Sequence, residues 1–173
     1  MRGGLRVKVA VIYHSETGNT EAMARLVAQG AEAEGAEIAV MSIDGVDWTF
    51  VRDCRAVILG SPTYEGACSW QMKRFLDEES GDLERHPLAG KLGAVFCSQG
   101  WPGGGGASFA EMTLIAGMLV RGMLVYSGGI TTGQPFLHFG AVSARAPREP
   151  LYRERCLKLG QVVARKAREL FPD

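Results

Sequence analysis

The chain has no Cys-x-x-Cys pair: its four cysteines, Cys54, Cys68, Cys97 and Cys156, stand far apart in 173 residues. Such spacing argues against a zinc site and against a dithiol redox centre, and predicts small buried side chains instead. Surplus charge is missing too, with 19 basic against 19 acidic residues. Nothing in that balance draws the chain to nucleic acid or to an acidic lipid surface. No apolar run reaches the roughly 18 residues of a spanning helix. The positive stretch Met1-Arg2-Gly3-Gly4-Leu5-Arg6 is not followed by an apolar segment of signal-peptide type. These absences predict a cytoplasmic protein with no membrane, metal or nucleic-acid partner. What remains is ordinary globular composition, 46% apolar and 22% charged. The length suits one domain over 1–173, with 1–5 as a flexible N-terminal extension.

One loop is notable for what it omits. The apolar run Val7 to Tyr13 leads into Ser15-Glu16-Thr17-Gly18-Asn19-Thr20, which opens a helical pattern. A strand that delivers hydroxyls and a glycine onto a helix start builds an anion site, because the first-turn amides lack partners and carry partial positive charge. Ser15, Thr17 and Thr20 can each donate a hydroxyl hydrogen bond, and Gly18 lets the backbone come close. The loop has neither the lysine of a nucleoside-triphosphate loop nor the three spaced glycines of a dinucleotide loop. A single monophosphate fits it better. The alternative is an ordinary capped helix start, for which Ser, Thr and Asn are also favoured.

The rest of the chain alternates strand and helix. Strand patterns fall at 6–14, 36–43, 55–60, 91–98 and 123–130, and the first is nearly continuous in apolar residues, as a strand covered on both faces should be. Helical patterns fall at 19–34 (Met23, Leu26, Val27, Ala31 inward), 46–54 (Trp48, Val51), 69–79 (Trp70, Met72, Phe75, Leu76), 107–121 and 151–170 (Cys156, Leu159, Val162, Val163, Leu170). Met112, Met118 and Met123 sit at core-like positions. Residues 131–148 form a connection longer than most, hence functional or an interface arm. Alternation of this kind predicts an α/β fold: a doubly wound five-stranded parallel sheet in the order 2-1-3-4-5, with helices on both faces and ligands bound beyond the strands' C-terminal ends. Three loops, 15–20, 61–68 and 98–106, then converge on one edge.

Ser-x-Thr-Gly-Asn-Thr after the first strand resembles the phosphate loop of the flavodoxin family, which holds FMN. Ser61-Pro62-Thr63-Tyr64-Glu65-Gly66 and Gln71-Met72-Lys73-Arg74-Phe75-Leu76-Asp77 resemble the Pro-Thr-x-x-Gly and Gln-Met-x-x-Phe-Leu-Asp pattern of the multimeric, WrbA-type NAD(P)H:quinone oxidoreductases. Ser98 to Gly104 is similar to their Ser-Thr-Gly-x-Gly-Gly loop, and His138-Phe139-Gly140-Ala141 to their Tyr-Gly-Ala segment. The resemblance implies FMN held by Ser15, Glu16, Thr17, Gly18, Asn19 and Thr20 at its phosphate. It implies Pro62, Thr63, Tyr64, Glu65, Gly66, Ser98, Gln99, Gly100, Trp101, Gly103 and Gly104 around its ring. Tyr64 and Trp101 are candidates to cover the ring faces; Trp101 can equally be a surface or interface aromatic. The chain departs from the family where His-His-Gly is common and Val120-Arg121-Gly122 stands here, in carrying Pro102, and in lacking the insertion after strand two that accompanies the family's tetramer.

Two activities are compatible with this site. In one, NADH or NADPH reduces the flavin, which then reduces a quinone-like acceptor, with Arg121 or His138 as possible contributors. In the other, the protein passes single electrons between redox partners, although carriers of that kind usually dock through a strongly acidic face. A non-enzymatic scaffold with residues 131–148 as an interface arm is a third. The resemblance also implies a homo-oligomer, dimer or tetramer.

Overall fold

The computed structural model describes residues 6–78 and 86–172; the expected extension at 1–5 and Glu79 of the third helical pattern lie outside them. Strand β1 (Lys8–Tyr13) shows how the sequence forces the layers. Its Val9 and Val11 point into one apolar cluster and its Ala10 and Ile12 into another, all four fully buried. A period of two with both faces covered leaves no polar side. The same alternation runs along β3 (Ala56–Tyr64), where Ala56 and Ile58 face one cluster and Val57 and Leu59 the other. It recurs on β5 (Leu92–Gln99), with Ala94 and Phe96 against Val95 and Cys97.

Helices α1 (Asn19–Ala33) and α5 (Pro150–Leu170) cover the first face. Helices α2 (Trp48–Asp53), α3 (Trp70–Glu78) and α4 (Ala107–Val120) cover the second. Helices α1 and α5 touch backbone to backbone. A Cβ on Gly30 would lie 1.9 Å from the Leu157 carbonyl oxygen, and one on Gly160 would lie 1.9 Å from that of Val27. The two glycines are what allow the crossing.

The parallel sheet runs β2 (Glu37–Ser42), β1, β3, β5, β6 (Leu124–Val125), which is the expected order. The last position differs from expectation. Instead of one strand over 123–130, only Leu124–Val125 pairs with Leu92–Gly93, and β7 (Ala141–Ala144) pairs with Phe96–Gln99 further along the same edge. Residues 126–140 leave the sheet between the two pieces. Gly128 and Gly129 both hold positive φ there, a backbone that does not continue an extended strand. The expected long connection thus begins earlier, and it ends in a strand.

Smaller corrections follow the same logic. Strand β3 continues through Ser61–Tyr64, where Pro62 suggests a loop; Ser61 and Pro62 pair with Cys97 and Ser98 of β5, and Thr63 and Tyr64 pair with the short strand β4 (Ala67–Cys68) through a turn at Glu65 (φ 49°) and Gly66 (φ 78°). Ser98 and Gln99 likewise belong to β5 rather than to the glycine loop. Trp70, Leu170 and Met112, all expected inward, are 63%, 46% and 45% exposed, while Met118 and Met123 are buried as expected. All four cysteines are free and buried, and Trp48 stacks on Phe75 with ring centroids 6.1 Å apart.

Candidate functional site

The strand register brings the three loops to one level: His14 N–H donates to the Gly60 carbonyl at 3.0 Å, and Ser98 stands opposite Pro62. From there the loops join pairwise. Loop 15–20 meets loop 98–106 through Thr20 Oγ1 and Ser98 Oγ, 2.9 Å apart and both buried. It meets helix α3, just past the second loop, through Glu16, whose carboxylate accepts from Gln71 Nε2 at 2.5 Å and lies 3.8 Å from His14 Nε2. The Tyr64 hydroxyl belongs to the same group: burial, then its bond to Glu16, raises its pKa. The second and third loops close at glycines, since a Cβ on Gly106 would sit 3.1 Å from Gly66 Cα and 3.7 Å from Thr63 Cγ2.

The helix start inside this ring leaves its first-turn amides without a side-chain cap. The α1 N-cap is Gly18 in the left-handed region (φ 82°), and no side chain caps it. The first bond back to it comes from Ala22 N–H at 3.0 Å. The amides of the first turn therefore have no side-chain acceptor, and they point where the macrodipole is positive. Asn19, which could have capped the helix, donates to Thr17 Oγ1 at 3.1 Å instead. A Cβ at Gly18 would meet nothing within 4 Å, so the loop is uncrowded at that glycine. The ordinary capped-helix reading does not describe this geometry.

Among the described residues, buried polar atoms without partners include Thr63 Oγ1, Gln71 Oε1 and His14 Nε2, a surplus of hydrogen-bonding capacity beside the loops. Thr20 is less available than expected. Its hydroxyl is sealed against Ser98, and of the two protons in that pair one is used between them and one is left to donate onward.

The third loop is organised from outside. Gln99 Oε1 accepts from Ala107 N–H at 3.1 Å and folds under Gly105, while the Gln99 carbonyl accepts from Arg145 N–H at 2.8 Å. Arg145, just past β7 with φ 61°, sets its guanidinium 5.6 Å from the centre of the Trp101 ring. Trp101 is 71% exposed on the rim. Arg145 went unread in the sequence because its strand was unread, and no local motif marks it. Gly100, Gly103 and Gly104 stand in open space.

The other two candidates are not part of this ring. Arg121 is the C-terminal cap of α4, about 20 Å of helix from Gly106, and its Nη1 donates to the Gly117 carbonyl at 2.8 Å. Within this chain it does not reach the loops. His138 (φ 49°) lies in the 126–140 excursion near Phe136, with its carbonyl accepting from Ser127 Oγ. It lines a separate cavity at the sheet edge. A larger cavity of about 710 Å³ lies at the opposite end of the strands, among Arg6, Lys8, Arg52, Arg55 and Arg168. Its Lys8 and Arg168 are already paired, with Glu37 and Asp53 and with Glu34. No group of side chains among the described residues could hold a metal ion, and no described helix is long and apolar enough to cross a membrane.

Residues 11–118 match the family model described as Flavodoxin. A protein named flavodoxin from Clostridium saccharobutylicum is 36% identical over 95% of this chain and all of its own length. An NAD(P)H dehydrogenase (quinone) from Archaeoglobus fulgidus is 32% identical over 94% of this chain and 98% of its own. Among solved structures, the flavodoxin, WrbA-like protein from Agrobacterium tumefaciens superposes with a TM-score of 0.76 at 25% identity, covering 94% of this chain and 98% of that one.

Proposed function

The chain belongs to the flavodoxin family, and from that premise we propose that it is an FMN-dependent oxidoreductase that takes electrons from NADH or NADPH and delivers them to a quinone-like acceptor. The observation that carries the cofactor assignment is the uncapped Gly18 helix start beside three loops in contact with one another, with no lysine or arginine in the first of them. In this reading the first-turn amides with the Ser15 and Thr17 hydroxyls hold the FMN phosphate, and Asn19 orients Thr17. Pro62, Thr63, Tyr64, Glu65 and Gly66 line one side of the ring. Ser98, Gln99, Gly100, Trp101, Gly103 and Gly104 line the other. When bound, the flavin supplies the hydride and electron chemistry, so the protein needs no catalytic acid or base of its own.

The acceptor assignment is supported by the charge around the site. Glu16 and Glu65 lie in the first two loops, Arg145 sits over Trp101 of the third, and the chain has no net charge. A carrier that docks redox proteins by charge complementarity needs a surface of one sign. Flat, neutral acceptors need an aromatic at the mouth, and Trp101 stands there. Self-association belongs to the same reading. Helix α4 turns Phe109, Met112, Leu119 and Val120 outward, 45% to 84% exposed, a contiguous apolar face of the kind that marks an interface.

Electron transfer between redox partners is the second reading, favoured by the 36% identity to a protein named flavodoxin. One experiment separates the two: an absorption spectrum of the purified protein, then stopped-flow mixing with NADH or NADPH, with and without benzoquinone. Bleaching of the flavin band by one nucleotide and its return with quinone is the expected result. A yellow protein that neither nucleotide reduces is the carrier. A colourless one that rejects FMN has no flavin function.

A further inference from the structure

The cavity at the sheet edge is built around a buried acid and a cation that do not touch. Its volume is about 160 Å³, and Glu111 from α4, Arg155 from α5, His138 and the rings of Phe136 and Phe139 line it. Glu111 is 2% exposed, and its Oε1 has no hydrogen-bond partner. The Arg155 Nε is likewise buried without a partner, and among the described residues Arg155 forms no ion pair. A buried carboxyl and the buried Nε of a half-buried guanidinium, each short of a bond, are costly unless something lies between them.

We propose that this cavity is a binding site for a small organic monocarboxylate, held between the Arg155 guanidinium and the Glu111 carboxyl with its carbon end against Phe136 and Phe139. The cavity lining shares no residue with the three loops, and the proposal does not depend on the flavin assignment. Its chemistry selects the ligand class. Burial raises the Glu111 pKa to about 8, against a smaller opposing effect of Arg155, so at neutral pH the side chain is the acid and can donate a hydrogen bond. Arg155 then faces no compensating charge across the cavity. A monocarboxylate accepts from both and cancels that charge. An amine would be repelled by Arg155, and a neutral carbonyl would leave the guanidinium unmatched. The volume admits a ligand from acetate to benzoate in size. The groups facing Glu111 are Arg155 on α5, the Cys97 thiol on β5, whose own pKa Glu111 helps to raise, and His138 on the excursion.

The test is calorimetric titration of the protein as purified, with and without added FMN, using acetate and benzoate as probes at pH 7 to 10. Saturable 1:1 binding is expected, unaffected by FMN and weakening about tenfold for each pH unit above 8 as Glu111 ionises. Glu111→Gln should keep binding and lose the pH dependence; Arg155→Met should abolish binding in a protein whose far-ultraviolet circular dichroism is unchanged. The proposal fails if neither probe saturates, if Arg155→Met binds as well as the parent, or if FMN competes, which would move the probe to the phosphate loop.

Discussion

Thr20 Oγ1 and Ser98 Oγ lie 2.9 Å apart, sealed from solvent, although 78 residues separate them in the chain. The bond ties the first turn of α1 to the end of β5, and so couples the phosphate end of the site to its ring end. Thr20→Val is expected to cost about 1 to 3 kcal/mol, because it strands a buried hydroxyl. Adding Ser98→Ala should cost less than the sum of the single changes. Urea unfolding of the four proteins measures this, and strictly additive energies would show that the hydroxyls do not support one another.

Gly30→Ala should be among the most damaging small substitutions in the protein. Its Cβ would fall 1.9 Å from the Leu157 carbonyl oxygen, a backbone atom that cannot rotate away. Helices α1 and α5 must then separate, at a cost near the upper end for overpacked cores, about 3 kcal/mol. A thermal midpoint within a degree of the parent would contradict the contact.

How much of this was legible beforehand depends on the range of the interaction that decides each part. Met23, Leu26, Val27 and Ala31 announced the inner face of α1, and Val9 to Ile12 a doubly covered strand, because period and burial are local signals. The three site segments are legible because each lies at the C-terminal end of a strand, although 61–64 and 98–99 are themselves strand. The divided fifth strand could not, since nothing in Met123 to Ile130 says that pairing stops at Val125 while Ala141 takes up the same edge. Trp70 misled because a large aromatic at helical spacing has the look of core, yet it is 63% exposed. Glu111 was invisible as a buried acid for the same reason that Arg145 was invisible as the neighbour of Trp101: both depend on where the 126–148 segment returns.

The buried carboxyl of Glu111 makes a pH-dependent contribution with a definite sign. Its pKa is about 8 in the folded protein against an ordinary 4.5, so between these values the unfolded chain loses the proton first. Stability falls as pH rises through that window, by a few kcal/mol in all. Glu111→Gln should therefore gain little at pH 4.5 and progressively more toward pH 8. Melting curves across that range, parent against variant, test it; a gain that does not grow with pH would place the Glu111 titration elsewhere.

Arg145 holds Trp101 by its guanidinium, 5.6 Å from the ring centre. Arg145→Ala removes a contact of about 0.5 to 1 kcal/mol at an exposed site. It should lower FMN affinity only severalfold, whereas Trp101→Ala should also raise the fluorescence of the added flavin by removing a stacked quencher. Equal fluorescence in parent and Trp101→Ala would make Trp101 a surface or interface aromatic.

Arg121 sits at the far end of α4 and bonds back to Gly117. Arg121→Ala is expected to leave FMN affinity and the rate of reduction by nucleotide unchanged within about twofold. A larger loss, appearing only at concentrations where the protein self-associates, would mean that Arg121 serves the site of a neighbouring copy.

The excursion at residues 126–140 departs from the sheet opposite Gly93 and rejoins it opposite Phe96. On the β5 side only Ala94 and Val95 separate the two points, so a two-residue link would make β6 and β7 a single uninterrupted strand. In strand order the segment is an insertion between two collinear pieces: its length does not set the order or direction of any strand, although Leu137 anchors it in the core. Cavity-lining residues from Phe136 to Gly140 travel with it. The edge cavity thus takes its wall from an insertion, while the three loops take theirs from the ends of uninterrupted strands.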